Sequence, residues 1–371
     1  MVQIAESLRR VGAHVDVVAL NQAKFHVDPL PADVAAVDID TSSYFRAAFW
    51  KWRKGLPMLV ARFYSKRFER LLRERLREGR YDIVHLEGQF LLPYVPAIRK
   101  ATRAPIVLRA QNVEFRIWER LAAQADGIHA QALQHIASTL GGWEIAHLDD
   151  CDALVPIAEE DARDFRELGA TRPSLMLPCG VPANNTPAAP SRTQGFYFLG
   201  SMLYRPNQEA VRWLADEVWP RVIALEPGAQ LTVAGSNFPD ALRQHLEQRH
   251  IAVAADIPNV RTFSAPFRAM LAPLFSGSGM RIKVLEAMSF GKPVIATPLG
   301  AGGIDVTPGE NILIADDADA FAREVVRCMH DDDLAQRIGD AGRVLVTTRY
   351  DSDVLARKLL AFYEELLRNA S

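Results

Sequence analysis

The strongest constraint on the fold is an alternation of short β-rich runs with longer amphipathic helical patterns. Such alternation is typical of βα units that build a parallel sheet with helices on its faces. One series of β-rich runs comprises HVDVVAL at 14–20, YDIVHLEG at 81–88, PIVLRAQN at 105–112 and DALVPIA at 152–158. A second series comprises GFYFLGS at 195–201, QLTVAGS at 230–236, RAMLAPLF at 268–275, KPVIATPL at 292–299 and GENILIAD at 309–316. The sequence therefore predicts two α/β domains of the Rossmann-like type.

The segment from Thr171 to Gly195 separates the two series and is rich in Pro, Asn and Gly, as a linker would be. We therefore expect a first domain over residues 1–175 and a second over 176–351. The amphipathic stretch 352–371 forms a C-terminal helix. Because open α/β sheets bind ligands at the carboxyl ends of their strands, two such domains predict a site in a cleft between them.

The start of the chain departs from this pattern. Ile4, Leu8 and Val11 form a helical pattern before the first β-rich run, whereas a doubly wound domain normally opens with a strand. Either the first domain has an unusual topology, or the reading frame has lost its first strand and the loop after it. We favour the loss of that strand.

Composition excludes several classes of protein. The 371 residues carry a formal net charge of -2, whereas nucleic-acid binders usually show a basic excess. Cys151, Cys179 and Cys328 have no metal-ligand or redox spacing, and helix capping explains the acidic clusters at 149–152 and 331–333 better than a metal does. No apolar run is long enough to span a membrane, and the N-terminus lacks the apolar core of a secretion signal. These features favour a cytoplasmic protein with no metal and no cofactor.

The stretch from 268 to 303 reads as a strand, a Gly-rich loop, a helix, a turn and another strand. Gly277 and Gly279 allow the backbone to turn and to present its amides at the helix start, which is how many proteins hold phosphates. Arg281 and Lys283 follow in the first turn, where a cation opposes the helix dipole. An anionic ligand such as a diphosphate would offset that cost.

Glu286 lies in the same helix, among apolar residues on nearly every side. Helices that are apolar all round are usually buried, and a buried carboxylate needs hydrogen-bond donors. Sugar or ribose hydroxyls are suitable donors. The alternative is that Glu286 pairs with Arg281 or Lys283 and that the glycines form an ordinary turn.

A second candidate loop follows the strand that ends at Gly200 and Ser201. Asn207 is a plausible N-cap for the next helix, and Arg205 lies in a loop at the same edge of the sheet. The alternative for Arg205 is a solvated loop cation.

At these residues the sequence resembles the large retaining GT-B glycosyltransferase family 4, most specifically from Gly195 to Tyr350. The similar segments are FLGSM with RPN, LTVAGS, GSGMRIKVLEAMSFGKPVIAT, GENILIAD, and more loosely YDIVHLEG and RAQNVEFRIWERLA. The resemblance implies transfer of a sugar from a nucleoside diphosphate sugar, with retention and without a bound metal, in the synthesis of cell-surface polysaccharides or glycoconjugates. It also implies that the C-terminal helix crosses back onto the first domain.

The resemblance also assigns roles to individual residues. Glu286 would bind the donor ribose, and Arg205 and Lys283, helped by Arg281, would bind the diphosphate. The expected catalytic residues are Glu286, Arg205 and Lys283. The other expected donor-binding residues are Gly200, Ser201, Asn207, Gly277, Ser278, Gly279 and Met280. The expected acceptor-side residues are His85, Glu87, Gln111 and Asn112. The acceptor would be a glycan or a lipid-linked molecule.

This chain departs from the family pattern at several positions. Ser278 stands where many members have a glutamate that touches the donor sugar, so the identity of the donor sugar cannot be carried over from the family. Asn207 stands where a second cation is usual, and Gln111 stands where many members have a histidine. The family's opening strand and Gly-rich loop have no counterpart. A catalytically silent nucleotide-sugar-binding protein, a truncated transferase and a nucleotide-sugar epimerase are therefore the alternatives.

Residues 44–80 interleave aromatic side chains with many Arg and Lys. A basic, aromatic helix of this kind can lie on an anionic membrane surface or hold a lipid-linked acceptor. The alternative is a helix with a solvated basic face. Peripheral contact with the inner face of the membrane is therefore one of two interpretations of this segment.

Overall fold

The computed structural model describes residues 2–31, 33–183, 195–277 and 279–370. The chain forms two compact units. The first comprises Met1–Pro178 and Ala356–Ser371, and the second comprises Cys179–Leu355. Residues 184–194 of the expected linker lie outside the described residues.

The first unit has two short parallel sheets flanked by helices. Its strands are β1 (Val17–Gln22), β2 (Val34–Ile39), β3 (Val84–Glu87), β4 (Ile106–Ala110) and β5 (Ala153–Pro156). Its helices before the second unit are α1 (Val2–Arg10), α2 (Tyr44–Lys54), α3 (Met58–Ala61), α4 (Lys66–Glu78), α5 (Val95–Arg99), α6 (Glu114–Ala123), α7 (Gly127–Ala146) and α8 (Glu159–Glu167). Each of the four predicted β-rich runs overlaps a strand, β1 extending two residues beyond its run, whereas β2 was not predicted.

In the first unit, β1 pairs with β2, and β3, β4 and β5 pair in that order. Within the described residues, no strand joins the two sheets, so β1 and β3 each keep one open edge. A cavity is lined by Val18 of β1, by residues 83–86 in and before β3, and by Phe68 and Leu72 of α4. At one end the Tyr81 hydroxyl donates to Asp16 over 2.7 Å. The open edges thus border a shared cavity inside the unit.

The second unit has one parallel sheet of strand order β11-β10-β9-β6-β7-β8. Its strands are β6 (Gly195–Leu199), β7 (Gln230–Gly235), β8 (Ala252–Ala255), β9 (Ala269–Ala272), β10 (Val294–Ala296) and β11 (Leu313–Ile314). Its helices are α9 (Arg205–Trp213), α10 (Trp219–Leu225), α11 (Asp240–Glu247), α12 (Val260–Ser264), α13 (Ile282–Ser289), α14 (Ala318–His330) and α15 (Asp332–Leu345). The five predicted runs all contain strands, whereas β8 was not predicted.

The sheet of the second unit is apolar on both faces, as expected of a parallel sheet covered by helices. Phe196 and Phe198 of β6 point into one core cluster and Tyr197 into another, so alternate side chains serve opposite faces. A Cβ on Gly235 would lie 1.8 Å from the Gly200 carbonyl oxygen, so this approach of β7 to the end of β6 requires glycine. This close contact holds the carboxyl end of β6 against β7.

The last helix, α16 (Ser352–Ala370), brings Tyr363 into the first unit. The Tyr363 side chain is buried, and its hydroxyl bonds to His85 Nδ1 on β3. His85 Nε2 in turn lies 3.0 Å from the Glu87 carboxylate. This chain of hydrogen bonds attaches the C-terminal helix to the β3 strand.

We expect the Tyr363→Phe variant to lower the free energy of unfolding by about 0.5–1.5 kcal/mol, because it removes the hydrogen bond to the half-buried His85 ring. Urea unfolding followed by tyrosine and tryptophan fluorescence measures the change. The exposed Lys358→Met substitution on the same helix is the control. Equal unfolding midpoints for Tyr363→Phe and the wild type would contradict this role for the hydroxyl.

Candidate functional site

The candidate site begins where β9 leads into the loop before α13. Gly277 and Gly279 have φ angles of 99° and 85°, a region that favours glycine. A Cβ on Gly277 would lie 2.1 Å from the Tyr204 hydroxyl, so the loop is also pressed against the segment before α9. Both glycines therefore have a structural requirement at this turn. Ser278 between them lies outside the described residues.

Arg281 is buried at the N-cap position of α13. Its Nη2 donates to the Gly277 carbonyl over 3.0 Å, and its Nε donates to the Leu299 carbonyl over 3.2 Å. The guanidinium thus holds the loop to the segment after β10. Its positive charge remains next to the N-terminus of α13, where the helix dipole also favours an anion. Met280, half-buried, precedes it and packs against the apolar cluster beneath the sheet.

Lys283 is the second residue of α13, and its ammonium faces α9 and β6. Nζ donates to Asn207 Oδ1 over 2.9 Å and lies 4.3 Å from the centroid of the Phe198 ring. Burial, reinforced by the charge of Arg281, lowers the pKa of Lys283 to about 7. No carboxylate of the described residues pairs with this ammonium. The protein therefore supplies a cation here without a counter-ion.

Glu286 lies one turn further along α13 and is half-buried. Burial raises the pKa of its carboxyl group. Within the described residues the carboxylate makes no hydrogen bond or ion pair, so the alternative pairing with Arg281 or Lys283 is not observed. Those two cations bind carbonyl and amide oxygens instead. Glu286 is consequently able to accept hydrogen bonds from a ligand.

The expected N-cap role of Asn207 is wrong. Helix α9 begins at Arg205, two residues earlier, with Pro206 in its first turn, where a proline is favoured. Asn207 is buried, and its Nδ2 donates to the Ser201 carbonyl over 2.8 Å. Its side chain therefore links the loop after β6 to Lys283 rather than capping the helix.

Arg205 opens α9 with an exposed side chain. Its Nε donates to one oxygen of Glu209 over 2.9 Å, and Ser276 donates to the other over 2.8 Å. Glu209 therefore connects Arg205 to the loop that precedes Gly277. This bridge through Glu209 was not predicted from the sequence, although its spacing of four residues from Arg205 is usual for helical ion pairs.

The structure thus gathers most of the predicted donor-binding residues. They lie after β6 and β9, which are adjacent strands in the sheet. The side chains of Asn207 and Lys283, and those of Glu209 and Ser276, connect the two loops directly. Gly200 fits beneath the Asn207 amide because it has no Cβ, which would lie 2.7 Å from Nδ2.

The acceptor-side residues lie in the first unit. His85 and Glu87 share a hydrogen bond, and Arg109 approaches the Glu87 carboxylate at 3.4 Å. Although burial opposes it, the hydrogen bond and charge of His85 and the charge of Arg109 lower the pKa of Glu87 to about 2. This carboxylate stays ionised and is tied to its protein neighbours.

Gln111 is exposed after β4, and the backbone carbonyl of Asn112 accepts a hydrogen bond from Gln89. Behind this turn the buried Glu144 accepts from the backbone amides that start α6 and from Gln89 over 3.0 Å. Burial, reinforced by the Glu144 charge, raises the pKa of Glu114 to about 7. Sequence reasoning missed these carboxyl groups, because nothing local to Glu144 marks it as buried.

The acidic clusters have structural roles. Asp331 accepts from the Leu334 amide at the start of α15, and Asp332 pairs with Arg268 at 2.5 Å. Asp149 accepts from Thr171, and Asp152 pairs with Arg99 at 2.7 Å. The described residues contain no cluster of three His, Cys, Asp or Glu side chains that could hold a metal ion.

The basic aromatic segment forms α2, α3 and α4 rather than one helix, because Gly55 ends α2 with a left-handed φ of 67°. Its rings divide into two groups. Phe45 and Trp52 are 88% and 80% exposed, whereas Trp50 packs against Tyr64 with ring centroids 4.5 Å apart. Helix α2 thus exposes large apolar rings beside Lys51, Arg53 and Lys54 in its last turn. Among the helices that the structure describes, none is long and apolar enough to cross a bilayer.

Comparison with known proteins assigns this arrangement to a family. Residues 1–180 match the family described as "Glycosyl transferase 4-like domain". Residues 193–331 match the family described as "Glycosyl transferases group 1". The second match includes the loops after β6 and β9 and helix α13.

Similar curated proteins include mannosyltransferases. A Corynebacterium glutamicum protein is 26% identical over 322 residues, covering 75% of this chain and 83% of its own length. It is a GDP-mannose-dependent monoacylated alpha-(1-6)-phosphatidylinositol monomannoside mannosyltransferase. The phosphatidyl-myo-inositol mannosyltransferase of Mycobacterium leprae is 27% identical, with 53% of this chain and 55% of that protein covered. An uncharacterized Klebsiella pneumoniae protein from the cps region is 25% identical, and the match spans 35% of each chain.

Solved structures share the fold. A glycosyltransferase from Rickettsia africae superposes with a TM-score of 0.66 at 15% identity, covering 99% of this chain and 94% of that one. Sucrose-phosphate synthase from Thermosynechococcus elongatus superposes with a TM-score of 0.65 at 18% identity, covering 100% and 92%. Residues 1–180 thus correspond to a glycosyltransferase 4-like domain and residues 193–331 to a glycosyltransferase group 1 domain, and together with the shared fold these matches support a glycosyltransferase of the GT-B fold.

Proposed function

We propose that this protein transfers a sugar from a nucleoside diphosphate sugar to a glycan or lipid-linked acceptor, with retention of the anomeric configuration. The second unit holds the donor. The observation that carries the proposal is the half-buried Lys283 ammonium, which has no carboxylate partner among the described residues and lies at the N-terminus of α13. A diphosphate supplies the missing negative charge.

The chemistry requires stabilisation of a leaving group. The bond between the sugar C1 and the β-phosphate oxygen breaks, the acceptor oxygen bonds to C1, and the acceptor proton passes to the departing nucleoside diphosphate or to solvent. Negative charge develops on the diphosphate as the bond breaks. Lys283, Arg281 and the amides at the start of α13 stabilise that charge. Arg205 leaves its ion pair with Glu209 and adds a further positive charge.

Glu286 supplies the second half of donor recognition. Its half-buried carboxylate has no hydrogen-bond partner within the described residues, and the two hydroxyls of a ribose can both donate to it. We assign Glu286 to the ribose, and His85, Glu87, Gln111 and Asn112 of the first unit to the acceptor side.

The names of relatives narrow the substrates to be tested. The Corynebacterium glutamicum relative is GDP-mannose-dependent, and its acceptor is a phosphatidylinositol mannoside. An Anabaena structure of the same fold was solved in complex with UDP-glucose. GDP-mannose and UDP-glucose are therefore the first donors to test, and a mannosylated lipid is the first acceptor.

Calorimetric titration with both donors, combined with an assay for sugar transfer, tests the proposal. We expect one donor to bind and to be turned over when acceptor is present. Binding without turnover would favour a silent nucleotide-sugar-binding protein, and conversion of the donor without an acceptor would favour an epimerase.

We expect the Glu286→Gln variant to bind the donor about 10- to 100-fold more weakly, because a hydrogen bond to a charged acceptor contributes about 1.5–3 kcal/mol. Calorimetry measures the affinity, and circular dichroism checks the fold. Glu247→Gln, exposed at the end of α11, is the matched control. Donor affinity equal to that of the wild type would remove Glu286 from the site.

Donor affinity should depend on pH. An anion binds the protonated form of Lys283, which predominates below about pH 7 and is depleted above it. We therefore expect affinity to fall by up to about tenfold per unit between about pH 7 and about pH 9. The Lys283→Arg variant, whose guanidinium stays charged, should lack this fall. A wild-type affinity that is constant over this range would contradict the role of Lys283.

We further propose that α2 brings the protein to an anionic membrane surface, where lipid-linked acceptors reside. Support comes from the exposed rings of Phe45 in the first turn of α2 and Trp52 in its last turn, which also carries three cations. Rings that insert at the headgroup boundary and cations that attract anionic lipids act together in such helices.

Flotation with liposomes tests this contact. We expect the wild type to float with vesicles that contain anionic lipid, and less at high salt, whereas the Phe45→Ser/Trp52→Ser double variant stays at the bottom. Leu225→Ser removes an exposed apolar side chain from the second unit and is the control. Failure of the wild type to float at any salt concentration would end the proposal.

A further inference from the structure

The side chain of Asn207 is the protein's only polar contact to Lys283 Nζ within the described residues. Both ends of the amide are used: Oδ1 accepts from Nζ over 2.9 Å, and Nδ2 donates to the Ser201 carbonyl over 2.8 Å. The residue is buried, and Gly200 leaves the space that the amide fills. Asn207 is thus fixed before any ligand arrives.

An amide is an uncommon partner for the ammonium of a half-buried lysine. A carboxylate would stabilise the charge more strongly but would also neutralise it, and an apolar side chain would leave the ammonium without a hydrogen bond. The amide oxygen orients one N–H and leaves the net charge in place. Two further N–H groups of the ammonium stay available to a ligand.

The charged groups around Lys283 support this reading. On β6 it faces the Phe198 ring, and on α9 it faces Asn207, both uncharged. Before α13 it faces Arg281, which is a like charge. The nearby carboxylate of Glu209 is engaged by Arg205 and Ser276. The neighbouring groups therefore leave the positive charge of Lys283 uncompensated.

We infer that Asn207 is a positioning residue for the donor: it fixes the Lys283 ammonium in the site without neutralising it, so that the donor diphosphate becomes its counter-ion. This rests on the proposed function of the site. It replaces direct contact between Asn207 and the donor, which the family resemblance implied, with an action through Lys283. It also explains why glycine is required at position 200.

Two substitutions at this position separate positioning from scaffolding. Asn207→Asp has nearly the same shape and keeps an acceptor for Nζ, but it adds a negative charge that pairs with Lys283. Asn207→Leu keeps the volume and removes the acceptor. Asn259→Asp is the matched control, because Asn259 caps α12 by accepting from the Thr262 amide and aspartate caps equally well.

The affinity of each variant for GDP-mannose and UDP-glucose is measured by calorimetry from about pH 7 to about pH 9, with thermal melting as the check of folding. We expect Asn207→Asp to bind at least about tenfold more weakly and to lose the fall in affinity with pH, because the new ion pair keeps Lys283 protonated. We expect Asn207→Leu to bind more weakly as well, with its fall starting at a lower pH than in the wild type. Asn259→Asp should match the wild type.

The outcomes are distinguishable. If the wild type binds a donor but Asn207→Asp keeps the wild-type affinity and pH profile, Asn207 is not a positioning residue and the inference is overturned. The same holds if Asn207→Asp weakens binding equally at every pH, as a scaffolding defect would. If the wild type binds neither donor, the proposed function fails and this inference fails with it. Should Asn207→Leu not fold, the comparison of Asn207→Asp with the wild type still decides.

Discussion

A half-buried ammonium, Lys283, with no carboxylate partner among the described residues is the feature on which the candidate site depends. Removing a positive charge from water is costly unless another charge or several hydrogen bonds compensate. At Lys283 the protein provides one amide oxygen and one aromatic face, and a second cation nearby raises the cost. We propose that a bound anion supplies the compensating negative charge. The folded chain therefore has a deficit of negative charge at one edge of the sheet, where the Lys283 ammonium is uncompensated.

The glycines make that deficit possible because they let backbone segments approach closely. Gly277 allows its loop to lie against Tyr204, and Gly235 allows β7 to approach the end of β6. With these segments fixed, Asn207 and Lys283 meet across adjacent strands although 76 residues separate them in sequence. The sheet and its strand ends thus fix the positions of the side chains in the loops of the candidate site.

Much of this could be predicted from the sequence, since the apolar runs that form β4, β6 and β9 are long and bounded by turn residues. Strands β2 and β8 escaped prediction because their alanines weaken the β-rich pattern. The sequence identified the residues of the candidate site but not their side-chain partners, and their binding of a donor stays a prediction. Whether Asn207 caps a helix or holds Lys283 depends on where α9 begins and on what lies across the sheet, and neither is encoded locally.

The open edges of β1 and β3 have a consequence for how the first unit behaves in water. Among the described residues no strand pairs with the second edge of β1 or β3, so the backbone amides and carbonyls on those edges must find other partners, such as solvent. Hydrogen exchange should then be fast along the middle of this unit and slow at β4, which has a strand on either side. We therefore expect the slowest exchange of the first unit at the middle strand of its three-stranded sheet, and faster exchange where β1 and β3 border the cavity.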